Sequence, residues 1–127
     1  MPTTKSLSPG LRVLLVEDEP LIAIDTQDAL VRFGVKEVVW ARNLAEADAA
    51  IDAGGFHAAI LDLRLGAESS VPLAHRLAAL NVPFGFLTGF LDSGIPASLR
   101  QYPVVMKPCT HAQLGDLLLS LVSPTAP

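Results

Sequence analysis

The chain has a single cysteine, Cys109, in 127 residues, so no internal disulfide can form and stability has to come from packing. No apolar run approaches the ~20 residues that span a bilayer, and the opening MPTTKSLSPG has no signal-peptide apolar core; both absences point to a cytoplasmic location. Lysine and arginine number 9 against 13 acids, for a formal charge of −4 without a basic stripe, which argues against nucleic acid or a membrane surface as partner. Phosphate-loop and dinucleotide-binding glycine patterns are missing, since "DAGG" near 54 and "TGF" near 88 match neither. His57, His75 and His111 have no cysteine or histidine partner at zinc-ligand spacing, which leaves them surface or capping roles. Repeats and low-complexity tracts are absent too. The length suits one domain, expected over residues 10–122 with flexible ends at 1–9 and 123–127.

What the chain does have is five short apolar runs: "RVLLV" from Arg12, "EVVWA" from Glu37, "HAAIL" from His57, "PFGFL" from Pro83 and "PVVM" from Pro103. Runs this apolar, without alternation, read as strands covered on both faces, as in a parallel sheet. Helical patterns lie between them. Pro20 opens one with a stripe of Ile22, Ala29, Leu30 and Phe33, and Gly34 is placed to end it. Asn43 with Glu46, and Thr110 with Gln113, make two capping-box patterns, the second before Leu114, Leu117, Leu118 and Leu121. Leu73, Leu77 and Leu80 form a further stripe. From Phe90 to Gln101, Gly94 and Pro96 leave room for at most a short turn. The alternation predicts an α/β, flavodoxin-like, doubly wound five-stranded parallel sheet whose fourth helix is atypical, short or irregular.

In such a sheet sites gather beyond the carboxyl ends of the strands. Glu17 and Asp18 follow the first strand, Asp62 the third, Thr88 the fourth and Lys107 the fifth. Two carboxylates roughly 5 Å apart repel by about 3 kcal/mol at an effective dielectric of about 20, so crowding three of them in "EDE" calls for compensation. A divalent cation such as Mg²⁺, which takes oxygen ligands, supplies it. Helix capping and plain solvent exposure at a turn are the alternatives, and capping is the better account of Glu19. Beside a metal, Asp62 could attack a phosphoryl group, Thr88 could donate a hydroxyl to it and Lys107 could supply positive charge.

"LLVEDEP", "ILDLRL", "FLTGF" and "VMKP", in this order over nearly the whole chain, resemble the receiver domain of two-component response regulators. The resemblance implies Mg²⁺ on Asp18, Asp62 and the backbone carbonyl of Arg64, with Glu17 helping through water. It also implies phosphorylation of Asp62 by a sensor histidine kinase or phosphotransfer protein. Asp18 and Asp62 stand at the usual family interval. "PFGFLTGF" resembles the FAT GUY subgroup of receivers, although Cys109 stands where that subgroup has an aromatic residue. Val104 replaces the aromatic residue that most receivers carry three positions before the lysine, which moves the expected signal to residues 90–101.

The expected function is therefore a stand-alone receiver, a monomer or weak homodimer, acting through protein partners or as a phosphate sink. It would not be a turnover enzyme, but an acceptor that assists its own phosphorylation and dephosphorylation. Alternatives are a phosphorylation-independent pseudo-receiver, and a phosphohydrolase of the haloacid-dehalogenase type, which wants a second aspartate where this chain has Arg64. Arg64 and Phe90 modulate access to Asp62, or are a solvated arginine and a packed phenylalanine. Trp40 reads as core or edge packing, Cys109 as packing, and Leu119 and Val122 as surplus apolar residues on a partner face.

Overall fold

The computed structural model describes residues 10–89 and 94–122; the expected flexible ends, 1–9 and 123–127, and Phe90 lie outside them. The elements run β1 (Arg12–Val16), α1 (Pro20–Arg32), β2 (Glu37–Ala41), α2 (Leu44–Ala53), β3 (Ala58–Asp62), β4 (Arg64–Leu65), β5 (Glu68–Ser69), α3 (Val71–Ala79), β6 (Phe84–Thr88), a 3-10 turn (Ala97–Leu99), β7 (Val104–Met106) and α4 (His111–Val122). Five strands form one parallel sheet in the order β2-β1-β3-β6-β7, while β4 and β5 make a small antiparallel hairpin. Every residue of β3 and β6 is buried, which explains why their sequences show no polar alternation. Ala47, Ile51, Leu73 and Leu77 of α2 and α3 fill one face of the sheet, and Ala23, Leu30, Leu114 and Leu118 of α1 and α4 fill the other.

Local chemistry sets the helix ends. Asn43 Oδ1 accepts from the Glu46 N–H at 2.8 Å, while the Glu46 carboxylate turns to the Arg42 N–H rather than to that of Asn43. The Thr110–Gln113 box closes in both directions, at 3.0 and 2.8 Å. Gly34, at φ +104°, stops α1, with its N–H on the Val31 carbonyl and that of Val35 on Leu30. The paired bonds satisfy two orphan carbonyls, in a conformation most side chains avoid.

Two apolar stripes differ from expectation. Helix α1 buries Ala23, Thr26, Ala29 and Leu30, whereas Ile22 and Phe33 stay partly exposed. Ala29 and Leu30 of the expected stripe face inward, joined by Ala23 and Thr26, because apolar residues on several sides of this helix leave its inward face ambiguous in the sequence. Phe33 instead rests on Gly115 of α4, where a Cβ would stand only 2.6 Å from its ring. Leu80 caps the end of α3 and is exposed. The irregular fourth helix is the 3-10 turn, anchored by Ile95 and Leu99, both buried in the core.

Candidate functional site

Because β1, β3, β6 and β7 are parallel, their carboxyl ends reach one edge of the sheet. There Glu17, Asp62, Thr88 and Lys107 come together as the sequence indicated. The Lys107 ammonium lies 2.9 Å from Glu17 Oε1 and 2.9 Å from Asp62 Oδ2. Its backbone N–H donates to the Thr88 carbonyl at 2.7 Å, so the strand that precedes the lysine is tied to the strand that ends in the threonine. The peptide from Lys107 to Pro108 is cis. Thr88 is buried at the end of β6. Asp62 is 7% exposed, and its Oδ1 accepts a long 3.4 Å bond from the Arg64 N–H.

Glu17 has no exposed surface. Burial, reinforced by the neighbouring Asp62, lifts its carboxyl pKa from 4.5 to about 7 against the pull of Lys107. For Lys107 burial works against the ammonium, yet the hydrogen bonds to Glu17 and Asp62 outweigh it and push its pKa up. The second oxygen of Glu17 accepts from the Glu19 N–H at 3.1 Å. Glu19 occupies the N-cap of α1, where a carboxylate meets the positive end of the helix; its side chain makes no capping hydrogen bond. Its carbonyl accepts the first helical bond, from Ala23.

Asp18 completes the site from solvent: one oxygen each of Glu17, Asp18 and Asp62 lie within 4.8 Å of one another. Three clustered carboxylates, one exposed and two buried, are the hard oxygen set that suits Mg²⁺, so the residues present fit the ion the sequence implied. The β4–β5 hairpin closes this side. Gly66 turns it at φ +63°, and a Cβ there would stand 3.9 Å from Asp18 Oδ2. Two-residue strands carry no periodicity, which is why the sequence did not announce this hairpin.

Beside Lys107 opens a cleft of about 500 Å³, lined by Leu21, Ile22, Thr26, Leu87 and Cys109 among others. Burial raises the Cys109 thiol pKa, as suits a packing residue. Leu21, which lines this cleft, is 77% exposed, and Ile24, also on α1, is 58% exposed. Leu119 and Val122, expected to form a partner face, are half-buried, and Val122 packs on the core. His111 pairs with Asp25 of α1 at 3.2 Å, His57 Nδ1 accepts from the Arg12 N–H at 3.0 Å, and His75 is exposed, in keeping with surface roles.

No protein-family model matches the chain, and neither does any curated protein sequence. Solved structures do. SdrG from Sphingomonas melonis Fr1 is 38% identical with a TM-score of 0.74, over 91% of this chain and 98% of that one. The BeF3-activated conformation of SdrG from Pseudomonas melonis Fr1 is 39% identical with a TM-score of 0.76, over 91% and 99%. The receiver domain of sensor histidine kinase PA1611 from Pseudomonas aeruginosa PAO1, with magnesium coordinated in its active-site cleft, shares the fold at 21% identity and a TM-score of 0.76, over 91% and 99%. No helix among the described residues is long and apolar enough to cross a membrane. With that identity over nearly the full length of both chains, the chain belongs to the response-regulator receiver (CheY-like) family.

Proposed function

We propose that this protein accepts a phosphoryl group on Asp62 from a sensor histidine kinase or phosphotransfer protein, and signals through protein partners or drains phosphoryl groups from the kinase. The observation that carries this reading is the Lys107 ammonium seated between Glu17 and Asp62, 2.9 Å from each, beside the exposed Asp18. An oxygen of Asp62 attacks phosphorus; the O–P bond forms as the N–P bond of phosphohistidine breaks, and the nitrogen leaves with the electron pair. A phosphoryl group carries about 1.5 to 2 negative charges, so the Lys107 ammonium gains a stronger partner than Asp62 and turns, still protonated, to the phosphoryl oxygens. The Thr88 hydroxyl donates to another of them. Mg²⁺, held by Asp18, Asp62 and the Arg64 carbonyl, with Glu17 acting through water, would supply further positive charge. The acceptor assists its own phosphorylation and dephosphorylation without turning over a separate substrate. It works in the cytoplasm, as a monomer or weak homodimer, and "FLTGF" aligns it with the FAT GUY receivers.

Incubation with Mg²⁺ and acetyl phosphate is expected to give a base-labile adduct that peptide mapping places on Asp62. Asp62→Ala should take up no label. Label on Asp18 or elsewhere in that variant would overturn the assignment. A pseudo-receiver would take no label at all, and steady turnover of a small phosphate ester would identify a phosphohydrolase.

A further inference from the structure

We infer that Trp40 is a positioning residue of the acidic site, its indole N–H fixing the Glu17 carbonyl and, through that peptide, the aim of Asp18. The inference rests on the metal-assisted reading above. Trp40 lies on the edge strand β2, opposite Leu15, and its Nε1 donates to the Glu17 carbonyl at 2.7 Å. The ladder between β1 and β2 ends at Ala41, whose carbonyl accepts from the Glu17 N–H at 3.0 Å. Beyond Ala41 the chain turns into the Asn43 cap of α2, and the Arg42 N–H is taken by Glu46. A side chain thus supplies the donor that the strand no longer offers.

With this bond every polar group of Glu17 has a partner: its N–H on Ala41, its carbonyl on Trp40, and its two carboxylate oxygens on Lys107 and the Glu19 N–H. The Glu17 carbonyl and the Asp18 N–H belong to one planar unit, so holding the carbonyl sets the direction in which the chain runs to Asp18. Asp18 needs that support, because among the described residues its exposed carboxylate makes no hydrogen bond or ion pair of its own. The indole ring is itself held in place, packed against the core between the sheet and α1 and α4, with the Arg42 guanidinium 5.7 Å from its centre.

The chain contains one tryptophan, so the donor can be removed selectively. Biosynthetic replacement of Trp40 by its benzothiophene isostere keeps the bicyclic ring and deletes the N–H; Trp40→Phe is the genetic counterpart. Calorimetric titration with Mg²⁺ is expected to show the dissociation constant raised between about threefold and tenfold in both, with unchanged far-ultraviolet circular dichroism. In the native protein, Trp40 emission should change on Mg²⁺ addition with the calorimetric constant, and Asp18→Asn should abolish that change. If the phenylalanine variant does not fold, the isostere decides. Native Mg²⁺ binding with the same constant in the isostere would overturn the role of Trp40 and leave the metal site standing. A native protein that takes up no Mg²⁺ would overturn the metal-assisted reading and this inference together.

Discussion

The ammonium of Lys107 lies 2.9 Å from Glu17 Oε1, although the two residues are 90 positions apart in the chain. The contact joins the end of the first strand in the chain, β1, to the end of the last, β7, and places a cation against a carboxyl group that burial would otherwise neutralise.

Glu17 is held at about pKa 7, above its ordinary 4.5, so between these values the folded chain binds more protons than the unfolded one. Stability from this group is present below about pH 4.5 and falls as pH rises through about 7, by on the order of 1 to 3 kcal/mol. Lys107, also raised, contributes fully below its ordinary 10.5 and loses that contribution only above it. Mg²⁺ prefers the deprotonated carboxylates, so its stabilisation should grow over the window in which Glu17 loses its proton. Thermal midpoints near pH 5.5 and pH 8, with and without millimolar Mg²⁺, are expected to show a larger Mg²⁺ increment at the higher pH. Glu17→Gln should flatten the pH dependence in the absence of metal. Equal increments at both pH values would contradict this account.

How much of this could be read from the sequence depended on the range of the interaction. The strands were legible because burial on both faces leaves continuous apolar runs, and the site was legible because parallel strands deliver their last residues to one edge. Local caps such as Asn43 and Thr110 announced themselves in four residues. Other features have no local pattern. The bond from Trp40 to Glu17 links a side chain to a carbonyl 23 positions away, and nothing near either residue signals it. The end of α3 was hidden for another reason: Asn81, not glycine, takes the left-handed conformation at φ +59°, with its N–H on the Ala78 carbonyl and that of Val82 on Leu77.

Val104, where most receivers carry an aromatic residue, is 43% exposed on the edge strand β7, and the nearby segment from Gly94 to Gln101 is expected to respond to phosphorylation. Its backbone is held by 3-10 bonds from Leu99 to Pro96 and Arg100 to Ala97, while Ile95 and Leu99 anchor it in the core. Two buried anchors on a short 3-10 turn give a segment that is expected to open more readily than β3 but to return to one place. Hydrogen exchange should be faster at residues 94–101 than in β3, with protection changing there when a beryllofluoride mimic binds. Leu99→Ala should lower unfolding stability by about 2 to 4 kcal/mol in urea titrations. Protection equal to that of β3, or a response confined to another surface, would refute this route.

Leu21, which lines the cleft at Lys107, and Ile24, about one turn further along α1, expose apolar surface. Because Leu21 lines the cleft beside Lys107, this surface is the expected dock for the proposed protein phosphodonor. Leu21→Asp and Ile24→Asp should slow phosphoryl transfer from the cognate kinase by tenfold or so, while labelling by acetyl phosphate stays as in the native chain. A parallel loss with both donors would show that the variants damage the site, not the docking surface.

The strand order also bears on when the protein becomes competent during its synthesis. β1, β2 and β3 are neighbours in the sheet and the first three strands to leave the ribosome, whereas β7 joins last, at the far edge. The two carboxylates, Glu17 and Asp62, are therefore synthesised before their counter-charge, Lys107. A chain without Lys107 lacks the ammonium that lies 2.9 Å from both Glu17 and Asp62, and is expected to repel an incoming phosphoryl group. A ribosome-bound chain stalled before Lys107 should take no label, so unfinished copies would neither consume phosphoryl groups nor compete with finished ones for the kinase.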